Sequence, residues 1–332
     1  MSLNLIQKFF YKLFTLILTA VYSLNGGIVA PPTDDVIKAK DPDNVKMVFA
    51  TLADPQASNY MFGRYQSFQE ACIDLRNAEV KFDALVGVGD IAENGLAEEY
   101  QLIFDELSQI DARFIMAAGN HDIRLRAYSQ TVNRFYSFID NLNGNTDSVA
   151  DRVYAEGKLA YSETVNGYKF IILGADKSVF EESYLSDAQL EWLDAELASA
   201  NGKPVFVIAH QPLKLTHNLP HNWGSGTSKT AGSIGAQSDA LKEILVKHGE
   251  NSPVFFINGH LHAGFTQYSY EYIEESFHSF NVPGFSIDNT EGEVNGAGLT
   301  YIVEVYEDEV IFRARDLING KWLPDFDVTI EY

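Results

Sequence analysis

A single cysteine, Cys72, stands in the 332 residues, so no disulfide can form within the chain. Phe68, Ala71, Cys72 and Leu75 recur at helical spacing, which puts the thiol on an apolar stripe as an inert core group. Basic residues are also scarce. Acids outnumber Lys and Arg 46 to 24, a formal net charge of -22, and a field of that sign repels nucleic acid and anionic membrane. No nucleic-acid partner is expected. A small anionic substrate remains admissible if bound cations make its site positive. An apolar run of membrane-spanning length is missing too: the uncharged stretch 13–24 is shorter than the ~20 residues an ordinary transmembrane helix needs. Because Lys8 and Lys12 precede that stretch, residues 1–30 have the order of an export signal, which implies a secreted or cell-surface protein. The small-residue cleavage pattern is poor, with Pro31 and Pro32 after Ala30, so an uncleaved anchor is the alternative and the only membrane contact expected.

The remaining composition, 46% hydrophobic and 13% aromatic, is that of a folded globular protein. Residues 31–43, rich in Pro and Asp, carry no sustained apolar period and read as a linker. Residues 44–332 show no repeat and no further break, which predicts one domain. Within it, short apolar runs at 45–53, 84–88, 114–118, 205–209 and 254–257 predict buried strands, with helical patterns between most of them. Ser186 and Gln189 form a capping-box pattern ahead of Leu190, Leu193 and Leu197, and Ser238 is expected to cap a helix bearing Leu241, Ile244 and Leu245. Asn166 and Gly167 mark a hairpin, and the alternating residues either side of Glu307 and Asp308 mark another. The fold class is therefore α/β with mixed sheets and packed helical layers.

All five predicted strands stop on residues able to bind a metal. They are Asp54 and Gln56; Asp90; Asn120, His121 and Asp122; His210; and His260 and His262. Loops at the carboxyl ends of neighbouring strands in an open α/β sheet meet at one edge, where ligands bind. Each fragment alone has a plainer explanation: an Asp after a strand forms turns or caps helices, and a lone His is usually a hydrogen-bonded structural residue. Five such clusters at one edge without a ligand would leave too many polar groups unsatisfied. On an extended segment, His260 and His262 would point their rings the same way.

The ordered set D-x-[HQ], G-D, G-N-H-D, a His before Pro and G-H-x-H resembles the calcineurin-like metallophosphoesterases over residues 54–262. The resemblance implies a layered α/β/β/α sandwich of mixed parallel and antiparallel sheets and two divalent cations, manganese, iron or zinc. It implies an enzyme cleaving a small phosphomonoester or phosphodiester through hydroxide formed between the metals. By resemblance Asp90 bridges both ions; Asp54 and His262 complete the first site, and Asn120, His210 and His260 the second. Gln56 is also a candidate ligand, but the family more usually has His there, and an amide oxygen is a weaker, harder donor. His121 is expected to protonate the leaving oxygen, with Asp122 orienting it. Arg124 and Arg126 are candidate phosphate contacts, with solvated arginines as the plainer reading. His217, His221 and Trp223 lie in a long Gly-rich loop suited to substrate contact. The alternative function is a metal-containing surface binding module that keeps the fold without turnover.

Overall fold

A computed structural model describes residues 35–145, 148–178, 180–218, 232–287, 289 and 291–332. In chain order these form β1 (Met47–Leu52), α1 (Phe62–Arg76), β2 (Ala84–Val88), α2 (Ala97–Leu107), β3 (Arg113–Ala117), α3 (Asn120–Ile123) and α4 (Tyr128–Leu142). Then follow β4 (Tyr161–Val165), β5 (Tyr168–Ile172), α5 (Asp187–Ala198), β6 (Val205–Ile208), α6 (Ser238–Gly249) and β7 (Val254–Asn258). The chain ends with β8 (Tyr270–Ile273), β9 (Phe277–Asn281), β10 (Leu299–Val305), β11 (Glu309–Asp316), β12 (Lys321–Trp322) and β13 (Val328–Glu331).

Among the described residues the strands make two mixed sheets. One runs β12-β11-β10-β1-β2-β3, with β13 also on β11; the other runs β4-β5-β6-β7-β9-β8. β1, β2 and β3 are mutually parallel, as are β5, β6, β7 and β9, while hairpin partners are antiparallel. Strand alternation sorts the second sheet's side chains between two cores. Phe170, Ile172, Phe206, Ile208, Phe255 and Ile257 face the space between the sheets; Ile171, Val205, Val207, Val254 and Phe256 meet Leu190, Leu193, Leu197, Leu241 and Leu245 of α5 and α6. Aromatic contacts bridge the sheets. Phe49 of β1 meets Phe170 and Phe206 edge-on, with centroids 5.3 and 5.0 Å away, and Phe280 of β9 stacks on Phe312 of β11 at 3.7 Å. On the other side α1 buries Phe68, Ala71, Cys72 and Leu75. Burial pushes the Cys72 thiol well above its ordinary range, as expected of an inert core group.

Both predicted hairpins form. Asn166 and Gly167, at φ 50° and 84°, make the two-residue loop between β4 and β5, and the Tyr306 N–H closes the β10–β11 turn onto the Glu309 carbonyl at 2.8 Å. Two helix starts differ from expectation. Ser186 caps α5 by accepting from Gln189 N at 3.3 Å, but the Gln189 amide turns inward to pair both backbone groups of Gly174, so the reciprocal half of the box is absent. Ser238 is the first residue of α6 and not its cap; its hydroxyl accepts from Lys214 N at 2.8 Å. Residues 1–30 lie outside the described residues, and no helix among those described is long and apolar enough to cross a membrane.

From residue 35 the chain is tied to the first sheet: Ile37 is buried, and the Arg313 and Arg315 guanidiniums donate to the carbonyls of Lys38 and Asp35, both at 2.7 Å. Arg315 is fully buried and forks onto Asp74 of α1, with Nε and Nη2 at 2.6 and 2.9 Å from the carboxylate. An unpaired charge there has no solvent to turn to. Asp74→Ala should lower the unfolding free energy by about 3–5 kcal/mol, and pairing Asp74→Leu with Arg315→Met should recover most of that loss in denaturant titrations. An unchanged midpoint for Asp74→Ala would remove the buried ion pair from this account.

Candidate metal centre

Four candidate ligands and Gln56 have left-handed backbone: Asp54 (φ 50°), Gln56 (40°), Asp90 (50°), His260 (71°) and His262 (47°). Such residues are uncommon outside glycine, and their clustering marks a functional turn set. Left-handed turns end the strands abruptly and fold the side chains back over the sheet edges. Short backbone bonds lock the turns together: Asp54 N to Gly89 O (3.1 Å), Gln56 N to Asp90 O (2.9 Å) and Gly259 N to His210 O (2.9 Å). Two glycines make the approach possible. A Cβ on Gly89, itself at φ 94°, would sit 2.5 Å from the His210 ring, and one on Gly119 would overlap the Asp90 carboxylate.

The strand ends do converge, but from two sheets. Asp54, Asp90 and the 120–122 segment follow β1, β2 and β3 of the first; His210 and the 260–262 segment follow β6 and β7 of the second. Side chains of the site join them. His210 Nδ1 lies 2.9 Å from the Val88 carbonyl and donates to it, and the His260 backbone N–H donates to Asp54 Oδ2 at 3.0 Å. His260 and His262 do not lie on an extended segment; their left-handed turns, not strand alternation, bring both rings to the site.

Their ligand atoms form two groups, each with all atoms within 4.8 Å of one another: Asp54, Asp90 and His262, and Asp90, His210 and His260. Asp90 belongs to both, the partition the resemblance implies. His210 Nε2 is 3.2 Å from Asp90 Oδ2 and 3.9 Å from Asp54 Oδ1, while His262 Nε2 is 3.2 Å from Asp54 Oδ1. Asn120 is buried alongside; its Nδ2 donates to Glu181 Oε2 at 3.2 Å, and its Oδ1 accepts from Gln211 Nε2 at 3.4 Å with a second lone pair able to meet a cation.

Asp54 and Asp90 are completely buried, and among the described residues their only ion-pair partners are histidines. Burial pushes Asp90 up, but His210, then His121 and His260, outweigh it and hold the carboxyl far below its usual range. Burial pulls His210 down, yet the Asp90 charge and hydrogen bond, aided by Asp54, raise it to about 9. Burial and the neighbouring His210 charge hold His260 well below its ordinary value, so it is neutral. His210 then donates its Nε2–H to Asp90 Oδ2, with the bare Nδ1 of His260 3.1 Å away. One imidazolium thus faces two buried carboxylates. With Nδ1–H already committed to Val88, losing the Nε2 proton exposes a lone pair beside those oxygens. Hard oxygens with borderline imidazole nitrogens, short of positive charge, fit divalent first-row cations.

His121 sits at the rim. Its backbone N–H donates to Asp90 Oδ1 at 2.8 Å, and its Nδ1 is held 2.8 Å from the Glu93 carbonyl, turning Nε2 towards Asp90 Oδ2 at 3.9 Å. The expected orienting role of Asp122 is corrected here. Its carboxylate accepts from the backbones of Ile91, Ala92 and Gly119 and from the Tyr100 hydroxyl, binding the loops under the site instead of the imidazole. Burial, then the Asp90 charge, pushes Asp122 up to about 6 against the pull of these donors. Gln56 is buried against Asp90, with its amide nitrogen 3.1 Å from Oδ2. Arg124 lies 3.9 Å from Glu93 and 3.8 Å from Glu181, whereas Arg126 is exposed. His217 is buried, its ring nitrogens 2.7 Å from the Tyr268 carbonyl and 2.9 Å from the Ser279 hydroxyl. His221 and Trp223 lie outside the described residues. Arg64, Glu93, Glu181 and Tyr100 escaped the sequence reading; only Glu93, three residues after Asp90, stands near a motif.

Comparison with known proteins agrees with this geometry. The family model described as calcineurin-like phosphoesterase matches residues 47–264. A probable glycerophosphodiester phosphodiesterase of Arcobacter nitrofigilis is 24% identical over 182 residues, covering 53% of this chain and 60% of its own length. A 3',5'-cyclic adenosine monophosphate phosphodiesterase of Escherichia coli is 27% identical over 158 residues, 47% of this chain and 48% of its own. The matches thus span about half to three fifths of these relatives. A dimetal phosphatase from Danio rerio shares the fold, with a TM-score of 0.62 at 16% identity over 87% of this chain and 100% of its own. With the family model spanning most of the domain that carries these donors, the chain belongs to the calcineurin-like phosphoesterase family.

Proposed function

We propose that the protein is an exported, metal-dependent phosphoesterase that hydrolyses a small phosphomonoester or phosphodiester. The observation that carries this is the pair of donor groups sharing Asp90. Phosphodiesterase relatives support a diester, and the pattern of residues 1–30 supports export. Asp54, Asp90 and His262 would hold one cation and Asp90, Asn120, His210 and His260 the other. When bound, the ions supply Lewis-acid activation of water and neutralise charge on the phosphoryl group.

The chain's own residues do the rest. Asp54 and the histidines keep their lone pairs aimed because Oδ2 of Asp54 and Nδ1 of His210 are already bonded. Water adds to phosphorus as the P–O bond to the leaving group breaks, and the departing oxygen must take up a proton. Doubly protonated His121 can give it from Nε2 while Nδ1–H stays on the Glu93 carbonyl. Asp122 and Tyr100 keep that loop seated from below.

Asp90→Asn should lose metal content and hydrolysis together, measured by plasma mass spectrometry beside an ester panel with manganese, iron and zinc. His121→Ala should retain the metals yet lose about 10²–10⁴-fold in turnover on alkyl esters, and far less on nitrophenyl esters, which need no acid. Full-rate alkyl-ester cleavage by that variant would remove the acid role. Cation binding at His210 must displace a proton held up to a pKa of about 9. Apparent manganese affinity should therefore rise with pH by up to about tenfold per unit between roughly 6.5 and 9, then level off. Calorimetry in buffers of different ionisation enthalpy should detect the released proton; a pH-independent affinity would contradict the protonation scheme.

A further inference from the structure

The side chain two residues after the first Asp turns its amide nitrogen, not its oxygen, to the carboxylate common to both donor groups. Gln56 is 1% exposed, and its amide is read from both ends. Oε1 accepts from Arg64 Nη1 at 3.1 Å, and Nε2 donates to Asp90 Oδ2 at 3.1 Å. A guanidinium has donors only, and an ionised carboxylate has acceptors only. Rotating the amide by half a turn would set N–H against N–H at Arg64 and oxygen against oxygen at Asp90. Arg64 is itself anchored, since the same Nη1 lies 2.6 Å from Glu93 Oε2. Glu93 in turn provides the carbonyl that holds the His121 ring.

We propose that Gln56 stands outside the metal shell and acts as a hydrogen-bond donor that orients the shared carboxylate Asp90, with Arg64 as the positioning residue that locks the amide in that sense. This rests on the metal reading of the site. A donor to Asp90 touches both cations at once because both use Asp90, whereas a ligand to one cation touches one. The chain Glu93–Arg64–Gln56–Asp90 also ties the rim residue that seats His121 to the carboxylate at the centre, so the acid and the metal site are set by one network.

The test is manganese titration of the full chain by calorimetry and electron paramagnetic resonance, which resolves two affinities without reference to turnover. Gln56→Met keeps the side chain's length and brings a thioether that is a poor ligand for this hard ion. It should weaken both affinities in parallel, by about 10- to 100-fold, with two ions still bound at saturation. Arg64→Met should weaken both as well, Arg64→Lys should recover part of the loss, and the double variant should be no worse than Gln56→Met because the two act in series. Loss confined to one site, a fall to one ion, or additive losses in the double variant would overturn the proposal and make Gln56 a ligand. Unchanged affinities would remove it from the site altogether. If Gln56→Met fails to fold, the partly exposed Arg64 carries the test alone. A wild-type protein that binds no manganese, iron or zinc would instead sink the metal reading, and this inference with it.

Discussion

Two carboxylates with no access to solvent, Asp54 and Asp90, stand at the ends of neighbouring strands, and the surrounding structure is arranged to hold their charge. Burying an ion costs several kcal/mol unless it is paired, and among the described residues the only ion-pair partners are histidines. One of these, His210, is pulled into its charged form by the acids beside it, while His260 is kept neutral. The balance is short of positive charge by design of the donor set. Divalent cations would complete it, and under the proposed function the same shortage would let a chain of net charge -22 take an anionic ester, because the positive field would be imported with the metals.

Holding such a centre requires turns that ordinary residues avoid. Left-handed backbone at a non-glycine residue costs on the order of 1–3 kcal/mol, and four candidate ligands together with Gln56 adopt it. What compensates is the double-sheet core, whose aromatic pairs, Phe49 with Phe170 and Phe280 with Phe312, fix the sheets against each other. The sheets in turn fix the distance between the β1–β2 turns and the β6–β7 turns. Bonds from His260 to Asp54 and from His210 to Val88 then close the remaining gap, so that packing far from the site sets its geometry.

Much of this was legible in the sequence because strand periodicity and short motifs are local. The five buried strands, the Asn166–Gly167 hairpin, the buried Cys72 and the ordered donor motifs all depend on residues close in the chain. The misread features depend on contacts that the sequence does not bring together. Gln189 leaves its expected capping partner for Gly174 because a strand end needed both a donor and an acceptor. Asp122 leaves His121 for a ring of four donors drawn from two loops and helix α2. Arg64 carried no motif, yet it decides which atom of Gln56 faces Asp90. That the donors come from two sheets emerged only from the structure, whereas the strand ends alone pointed to one edge.

The central claim is that Asp90 is shared by two cations. Anomalous-scattering diffraction from crystals soaked in manganese tests it most directly. The account predicts two peaks about 3.5–4 Å apart, one between Asp54 and His262, the other beside His210 and His260, with an Asp90 oxygen within bonding distance of both. A single peak, or two peaks that leave Asp90 uncoordinated, would contradict it.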